Sequence, residues 1–146
     1  MAELKFIINL SSKPYNLIKL ATDYENLPTY LPSQLREVKI LEKNPDEIIT
    51  KEIFEFRSIF NKKIEMMSKH KQISASKLYT EIISGPAKGS TMTVDYIGID
   101  SGTQVVTEIN LKLNIKTRLL MPLIKKTYRT FLMGILYKMN SDALEH

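Results

Sequence analysis

The sequence predicts an α+β domain in which an antiparallel sheet of seven strands packs against one long C-terminal helix. Three patterns predict this fold class. An alternating run opens the chain at residues 4–10, a period of two dominates residues 34–113, and apolar side chains recur at helical spacing over residues 119–143. A half-solvated sheet must bury its inner face, and the last helix is the long amphipathic element available to cover it.

The N-terminal segment predicts one strand and two helical pieces. β-Branched and aromatic side chains alternate in residues 4–10, which is typical of a strand. A serine pair shortly before Pro14 predicts a helix with a serine cap and a proline in its first turn, and the apolar spacing extends this helix to about Asp23. Two prolines restrict residues 24–32 to one short turn of helix.

The middle of the chain predicts six more strands, separated by turn-forming residues such as glycine, proline, asparagine and aspartate. The last strand alternates most clearly, with Val105 and Ile109 on one face and Glu108 on the other. A helix entered through Pro122 follows it. The six predicted strands span residues 35–43, 47–57, 60–71, 77–83, 90–99 and 103–113.

Composition limits the classes of function. A chain of 146 residues, 43% hydrophobic and 25% charged, suits one globular domain. The absence of cysteine excludes disulfides and thiolate metal sites, and two histidines are too few for a multi-histidine centre, so we expect no metal and no cofactor. Neither a signal-peptide core nor an uninterrupted membrane span is present in the sequence, and we expect a cytoplasmic monomer.

The order of these elements, together with residues 23–32 (DYENLPTYLP), resembles the START-like helix-grip superfamily, and within it the polyketide cyclase/dehydrase and coenzyme Q-binding branch. The Gly-Pro turn at residues 85–86 and the Gly-Thr-Gln-Val run at residues 102–105 are similar to turns of that family. The resemblance implies a curved seven-stranded sheet wrapped around the C-terminal helix, in the order β-α-α-β6-α, with a hydrophobic cavity between them.

The chain also departs from the family pattern. Ala87 stands where a phenylalanine often follows the Gly-Pro turn, and Met92 stands where the sixth strand often has an aromatic residue. Both changes alter the cavity, so the resemblance does not imply a substrate. We interpret residues 1–143 as a single START-like domain, and residues 144–146 (Leu-Glu-His) as the remnant of a histidine tag.

Alternation and helical spacing place a set of apolar side chains on the faces that would enclose this cavity. Seven methionines and no tryptophan suit an adaptable apolar pocket, although the same side chains also suit an ordinary filled core. We expect a cavity at the low end of the range of about 300–1,000 Å³ typical of ligand sites. The predicted ligand-binding residues are Phe54, Phe56, Met66, Met92, Val94, Tyr96, Ile109, Ile124, Tyr128, Phe131 and Ile135.

Four polar side chains are candidates for orienting or transforming a ligand. Tyr96 and Tyr128 each combine an apolar ring with one hydroxyl, and a plain core role is the alternative for both. Glu52 shares its strand face with Phe54, yet a position in solvent or in a surface ion pair is the favoured interpretation. For His70 we favour an exposed surface histidine over an acid or base at the cavity mouth.

The sequence therefore favours a binding or carrier domain for a lipid, isoprenoid or polycyclic molecule. A cyclase or dehydratase acting in the same cavity is the alternative, and two or more inward polar residues within hydrogen-bond reach would favour it. A third hypothesis is an interaction protein that uses a basic cluster. We expect this cluster to be a solvated face or to attract an anionic membrane, whereas nucleic acid is not expected because no exposed aromatics interleave. The basic cluster comprises Lys116, Arg118, Lys125, Lys126 and Arg129.

Overall fold

The computed structural model describes residues 2–57 and 63–145. Within them lies one sheet whose seven strands follow the order β1-β7-β6-β5-β4-β3-β2, with every neighbouring pair antiparallel. β1 and β2 therefore form the two edges. The strands are β1 Ala2–Leu10, β2 Leu35–Lys43, β3 Ile48–Phe54, β4 Ile64–Gln72, β5 Lys77–Ser84, β6 Thr91–Ile99 and β7 Gly102–Leu111.

Two short helical pieces connect the edge strands, and one long helix covers the inner face. Helix α1 spans Pro14–Ala21, and a 3₁₀ helix spans Tyr24–Thr29. A second 3₁₀ helix, Ile115–Leu120, leads into helix α2, Met121–Glu145, which has 25 residues. The buried side chains of α2 lie on one side of the helix and form the stripe that faces the sheet. They are Ile124, Phe131, Ile135, Leu136 and Met139.

Alternation along the strands decides which side chains enter the core. In β1, every second residue is buried, and β7 follows the same pattern against it through pairs such as Phe6 with Thr107 and Leu4 with Ile109. The inner faces of the sheet and the stripe of α2 join in one hydrophobic core. The predicted α+β architecture, with a seven-stranded sheet against the C-terminal helix, is confirmed.

Most predicted boundaries shift by a few residues, and one strand matches at both ends. β2 has the predicted limits, whereas β3 ends at Phe54 instead of residue 57. The predicted start of β4 at residue 60 lies outside the described residues. Helix α2 begins at Met121, two residues after its predicted start, because the preceding turn is 3₁₀ and Pro122 fits the first α-helical turn.

The predicted serine cap of α1 is wrong. Lys13 occupies the cap position and makes no side-chain cap hydrogen bond. Ser12 lies one residue earlier and faces α2, where its backbone N–H donates to Asn140 Oδ1 at 2.9 Å and its hydroxyl donates to the Asn140 carbonyl at 3.1 Å. The hydroxyl of Thr103 donates to the Ser12 carbonyl at 2.6 Å. The serine therefore fixes the C-terminal half of α2 against the end of β1.

Candidate functional site

A cavity of about 160 Å³ lies between the inner face of the sheet and α2. A smaller cavity of about 70 Å³ shares Phe54, Met66 and Tyr128 with it. The expectation of a volume near 300 Å³ is wrong, because core side chains from both layers fill much of the space. An apolar cavity of about 150 Å³ holds a benzene-sized molecule, so this one has room for a single aromatic ring.

The structure brings the predicted ligand-binding residues together around these two cavities. Phe56 and Ile124 line the smaller one. The remaining predicted residues line the larger one, and they come from β3, β4, β6, β7 and α2. Their role in binding stays a prediction. The residues of this second group are Phe54, Met66, Met92, Val94, Tyr96, Ile109, Tyr128, Phe131 and Ile135.

A cluster of four aromatic rings lies where the two cavities meet. Phe131 of α2 is at its centre, with ring centroids 5.7 Å from Phe54 and 5.4 Å from Phe56, both in edge-to-face geometry. Tyr128 stacks on Phe131 at 6.1 Å. Edge-to-face and offset-stacked pairs are the favourable geometries of aromatic rings. The cluster therefore holds α2 against the end of β3.

A chain of hydrogen bonds crosses the polar end of the larger cavity. The Thr50 hydroxyl donates to Glu52 Oε1 at 2.8 Å and lies 2.8 Å from His70 Nε2. The other ring nitrogen, His70 Nδ1, lies 2.8 Å from the Thr80 hydroxyl. His70 Nε2 is also 3.7 Å from Glu52 Oε1. Adjacent strands β3, β4 and β5 thus supply one carboxylate–threonine–imidazole–threonine chain.

The hydroxyl of Thr50 fixes the direction of this chain. Since a threonine hydroxyl has one hydrogen and Thr50 donates it to Glu52, its contact with His70 requires a proton on Nε2. In the neutral imidazole, Nδ1 then accepts a hydrogen bond from Thr80. The ring of Tyr24 stacks on the imidazole at a centroid distance of 4.3 Å and covers it. The imidazole of His70 is therefore held in one orientation, with Nε2 donating to Thr50.

The favoured interpretations of His70 and Glu52 as surface groups are wrong. The side chain of His70 is 11% exposed and that of Glu52 is 9% exposed. The physical reason is the alternation of side chains along a strand, by which Glu52 shares the inner face with Phe54, and His70 shares it with Met66. Toward the end of β4, His70 pairs with Thr80 of β5. The cover from Tyr24 comes from a different part of the chain.

Among the described residues, two that line the cavity each have a buried side-chain atom with no hydrogen-bond partner. These atoms are Oε2 of Glu52 and the hydroxyl oxygen of Thr107. Buried polar atoms are nearly always hydrogen-bonded in folded proteins. Both atoms belong to residues of the cavity wall, Glu52 on β3 and Thr107 on β7. They mark the positions at which the wall offers unused hydrogen-bonding capacity.

Known structures share this arrangement of sheet and helix. No family model matches the sequence, and no curated protein matches it. A protein from Thermus thermophilus superimposes with a TM-score of 0.84 over 99% of this chain and 98% of that one, at 17% identity. The ZhuI aromatase/cyclase from a Streptomyces species gives 0.82 over 97% and 93%, at 10% identity. A START superfamily protein from Mycobacterium smegmatis gives 0.79 over 98% and 97%, at 11% identity.

This chain has the START-like helix-grip fold. The resemblance noted in the sequence is thus confirmed at the level of the fold. At these identities, the fold does not decide between binding and catalysis, since folds of this kind host several functions. The distinction depends on the side chains that line this particular helix-grip cavity.

Burial keeps the cavity tyrosines neutral. It raises the pKa of Tyr96 well above its ordinary value, and Tyr24, which would be a phenolate at the high pH where Tyr96 ionises, adds a smaller electrostatic contribution. It also raises the pKa of Tyr128, and the carboxylate of Glu52 raises it further. The pKa of Tyr24 is raised to about 12 by burial. All three groups are therefore phenols, not phenolates, at neutral pH.

The entrance to α2 carries a basic and apolar surface. Arg118, Lys126 and Arg129 are exposed and Lys125 is half-buried, while the side chain of Lys116 lies outside the described part. Three leucines that the sequence did not single out as exposed lie among them, with Leu119 exposed by 92%. The other two, Leu120 and Leu123, are exposed by about two-fifths. We refer to these leucines and basic residues as the entrance surface.

Residues 2–57 and 63–145 contain neither a metal-binding cluster nor a helix suited to cross a membrane. No group of three or more histidine, cysteine, aspartate or glutamate side chains there has the geometry of a metal centre. No helix in the same part of the chain is both long enough and apolar enough to cross a membrane.

Proposed function

We propose that this protein binds a small, largely apolar molecule in the cavity between the sheet and α2, and acts as a binding or carrier domain. The observation that supports the proposal is a cavity walled mainly by apolar side chains, with a hydrogen-bonded polar group that includes Glu52 and His70 in its wall. Concave, mostly apolar sites with a few placed polar groups are typical of small-molecule binding.

The cavity volume indicates the size of the ligand. About 160 Å³ suits a single-ring molecule better than the isoprenoid or polycyclic ligand that the sequence suggested. Met66 and Met92 line the wall, and flexible thioethers allow moderate adjustment. The adjoining cavity beyond Tyr128 offers room for a short substituent. We propose the eleven predicted side chains as the apolar contacts of this ligand.

An apolar fluorescent dye is expected to bind to the protein and to be displaced by single-ring hydrocarbons. Met92→Trp should weaken dye binding at least about tenfold, because the larger side chain fills the cavity from β6. Fluorescence titration measures the dissociation constant. Thr93→Trp is the matched control, since Thr93 neighbours Met92 on the opposite face of β6 and does not line either cavity.

Circular dichroism must first show that both tryptophan variants are folded. Equal dye affinity in the two folded variants would contradict the location of the site. Failure of the unmodified protein to bind either the dye or a hydrocarbon would contradict the proposed function itself.

A second candidate function is acid–base chemistry on a molecule bound in the same cavity. The observation that favours it is the buried pair of Glu52 and His70, with the carboxylate and imidazole 3.7 Å apart at the polar end. Thr50 lies within hydrogen-bond distance of both side chains. The pair therefore meets the criterion given above for an enzyme, namely inward polar residues within hydrogen-bond reach. Mass spectrometry of a ligand extracted from the purified protein, before and after incubation with fresh protein, separates a carrier from an enzyme. Conversion that Glu52→Gln abolishes would identify an enzyme.

We also propose that the entrance surface contacts an anionic membrane while ligand enters or leaves. Exposed leucines beside basic side chains combine apolar insertion with attraction of about 1 kcal/mol for each basic residue near the lipid surface. Binding to vesicles that contain phosphatidylserine should therefore weaken as salt is raised, because the Debye length is about 8 Å at physiological ionic strength. Sedimentation with vesicles measures this binding.

Replacing Lys125, Lys126 and Arg129 together with glutamine should abolish vesicle binding with little change in stability, since Lys126 and Arg129 are exposed, Lys125 is partly exposed, and such charges contribute little to folding. A control variant with glutamine at the exposed positions Lys19, Lys39 and Lys43 loses the same charge elsewhere and should still bind. Displacement from vesicles by excess RNA would point to nucleic acid as the partner instead. Absence of binding at low salt would leave the basic cluster as a solvated face.

A further inference from the structure

We propose that the ligand of this cavity carries a hydroxyl group, and that Glu52 selects it as the hydrogen-bond acceptor. The ligand class is then a phenol or alcohol whose apolar body is about one aromatic ring in size. This inference rests on the proposed function, because it concerns which small molecule the cavity binds.

The two oxygens of the Glu52 carboxylate are in different situations. Oε1 accepts the hydrogen bond from Thr50, whereas Oε2 is buried and receives no hydrogen bond from any described protein group. The side chain is about nine-tenths buried, so bulk solvent does not compensate the second oxygen. A buried, half-satisfied carboxylate is costly, and a donor brought by a ligand would remove that cost.

The neighbouring groups do not supply this donor. The single hydrogen of Thr50 goes to Oε1, and both nitrogens of His70 are engaged, one by Thr50 and the other by Thr80. Stacking on Tyr24 further restrains the imidazole ring. The chain thus orients Glu52, a residue of the cavity wall, while leaving its Oε2 without a partner, which is the arrangement expected of an acceptor reserved for a ligand.

The role of Glu52 as an acceptor also determines which ligands the cavity disfavours. An ionised carboxylate only accepts hydrogen bonds, so it disfavours a ligand whose polar end is itself a carboxylate or phosphate. A hydrocarbon of the same shape fills the apolar part but leaves Oε2 unsatisfied. A hydroxyl satisfies Oε2 with a charge-assisted hydrogen bond.

Three single-ring probes that differ at one ring position test this selection in the 146-residue chain. 4-Ethylphenol has the hydroxyl, 4-ethyltoluene replaces it with a methyl group, and 4-ethylanisole keeps the oxygen but lacks the donor. Competition with the bound dye should give an affinity for the phenol about 10- to 100-fold higher than for the other two, the range for hydrogen bonds to charged groups. Glu52→Gln should reduce this preference to less than about threefold.

Glu65→Gln is the matched control, because Glu65 is exposed and pairs with Lys51 away from the cavity, and it should retain the full preference. Infrared difference spectra with ¹³C-labelled glutamate provide a readout that needs no variant, since the phenol, unlike 4-ethyltoluene, should shift a carboxylate stretching band. Binding of 4-ethyltoluene as tightly as 4-ethylphenol would overturn the inference and leave the proposed function standing. A preference that persists in folded Glu52→Gln would overturn the role of Glu52, and failure of all three probes and the dye to bind would overturn the proposed function.

Discussion

Replacing Phe131 with alanine is expected to lower the free energy of unfolding by about 3–5 kcal/mol. Phe131 is 3% exposed and contacts the rings of Phe54, Phe56 and Tyr128, so its removal leaves a void at the centre of the aromatic cluster. A domain of this size has a total stability of about 5–15 kcal/mol. The variant should therefore retain only part of its stability, and α2 should be held less firmly against β3.

Urea unfolding followed by circular dichroism measures this loss. Tyr137→Ala is the control on the same helix, because Tyr137 is another aromatic side chain but is 48% exposed. Its cost should stay below about 1 kcal/mol, as is usual for surface substitutions. A Phe131→Ala variant as stable as Tyr137→Ala would show that the aromatic cluster does not hold the helix to the sheet.

The faces of the strands could be predicted from the sequence, whereas their ends could not. Parity alone shows that Val105 and Ile109 face the same way, and burial confirms it. β7 ends at Leu111, which pairs with Ala2, the first described residue of β1. β3 likewise ends where Phe54 meets the first residue of β2. Such limits arise from contacts distant in sequence, which local patterns do not contain.

The apolar wall of the cavity was predictable because alternation along the strands shows which side chains face inward. The carboxylate–threonine–imidazole–threonine chain was predictable only in part. Alternation along β3 already placed Glu52 with Phe54, but the contact with His70 depends on the register between β3 and β4, and the cover of His70 depends on the packing of Tyr24. Threonines at strand positions 50 and 80 gave no signal, because threonine is common in strands for its β-branched shape. The cavity volume reflects packing in three dimensions, so the sequence overestimated it.

Replacing Gly102 with alanine is expected to destabilise the protein by about 3–5 kcal/mol, at the upper end of single substitutions. Gly102 begins β7 with φ of +143°, a conformation that residues with a Cβ rarely adopt. A Cβ there would overlap the Leu10 carbonyl oxygen and lie 2.8 Å from the Cα of Ser11. These neighbours are backbone atoms, so no side chain can rotate away to relieve the overlap. The turn must distort, and with it the Thr103–Ser12 hydrogen bond that links β7 to the segment fixing α2.

Gly98→Ala provides the matched control, because it makes the same chemical change in the same hairpin. Gly98 pairs with Thr103 across the hairpin, its φ is not positive, and the nearest atom to an added Cβ is Pro14 Cγ at an ordinary 3.6 Å. This variant should be as stable as the unmodified protein or slightly more so, since alanine restricts the unfolded chain. Thermal unfolding should therefore place the Tm of Gly102→Ala roughly 6–15 °C below that of Gly98→Ala. Equal values for the two variants would show that the turn at Gly102 accommodates a side chain, and that the close approach of β7 to Leu10 does not hold this corner of the fold.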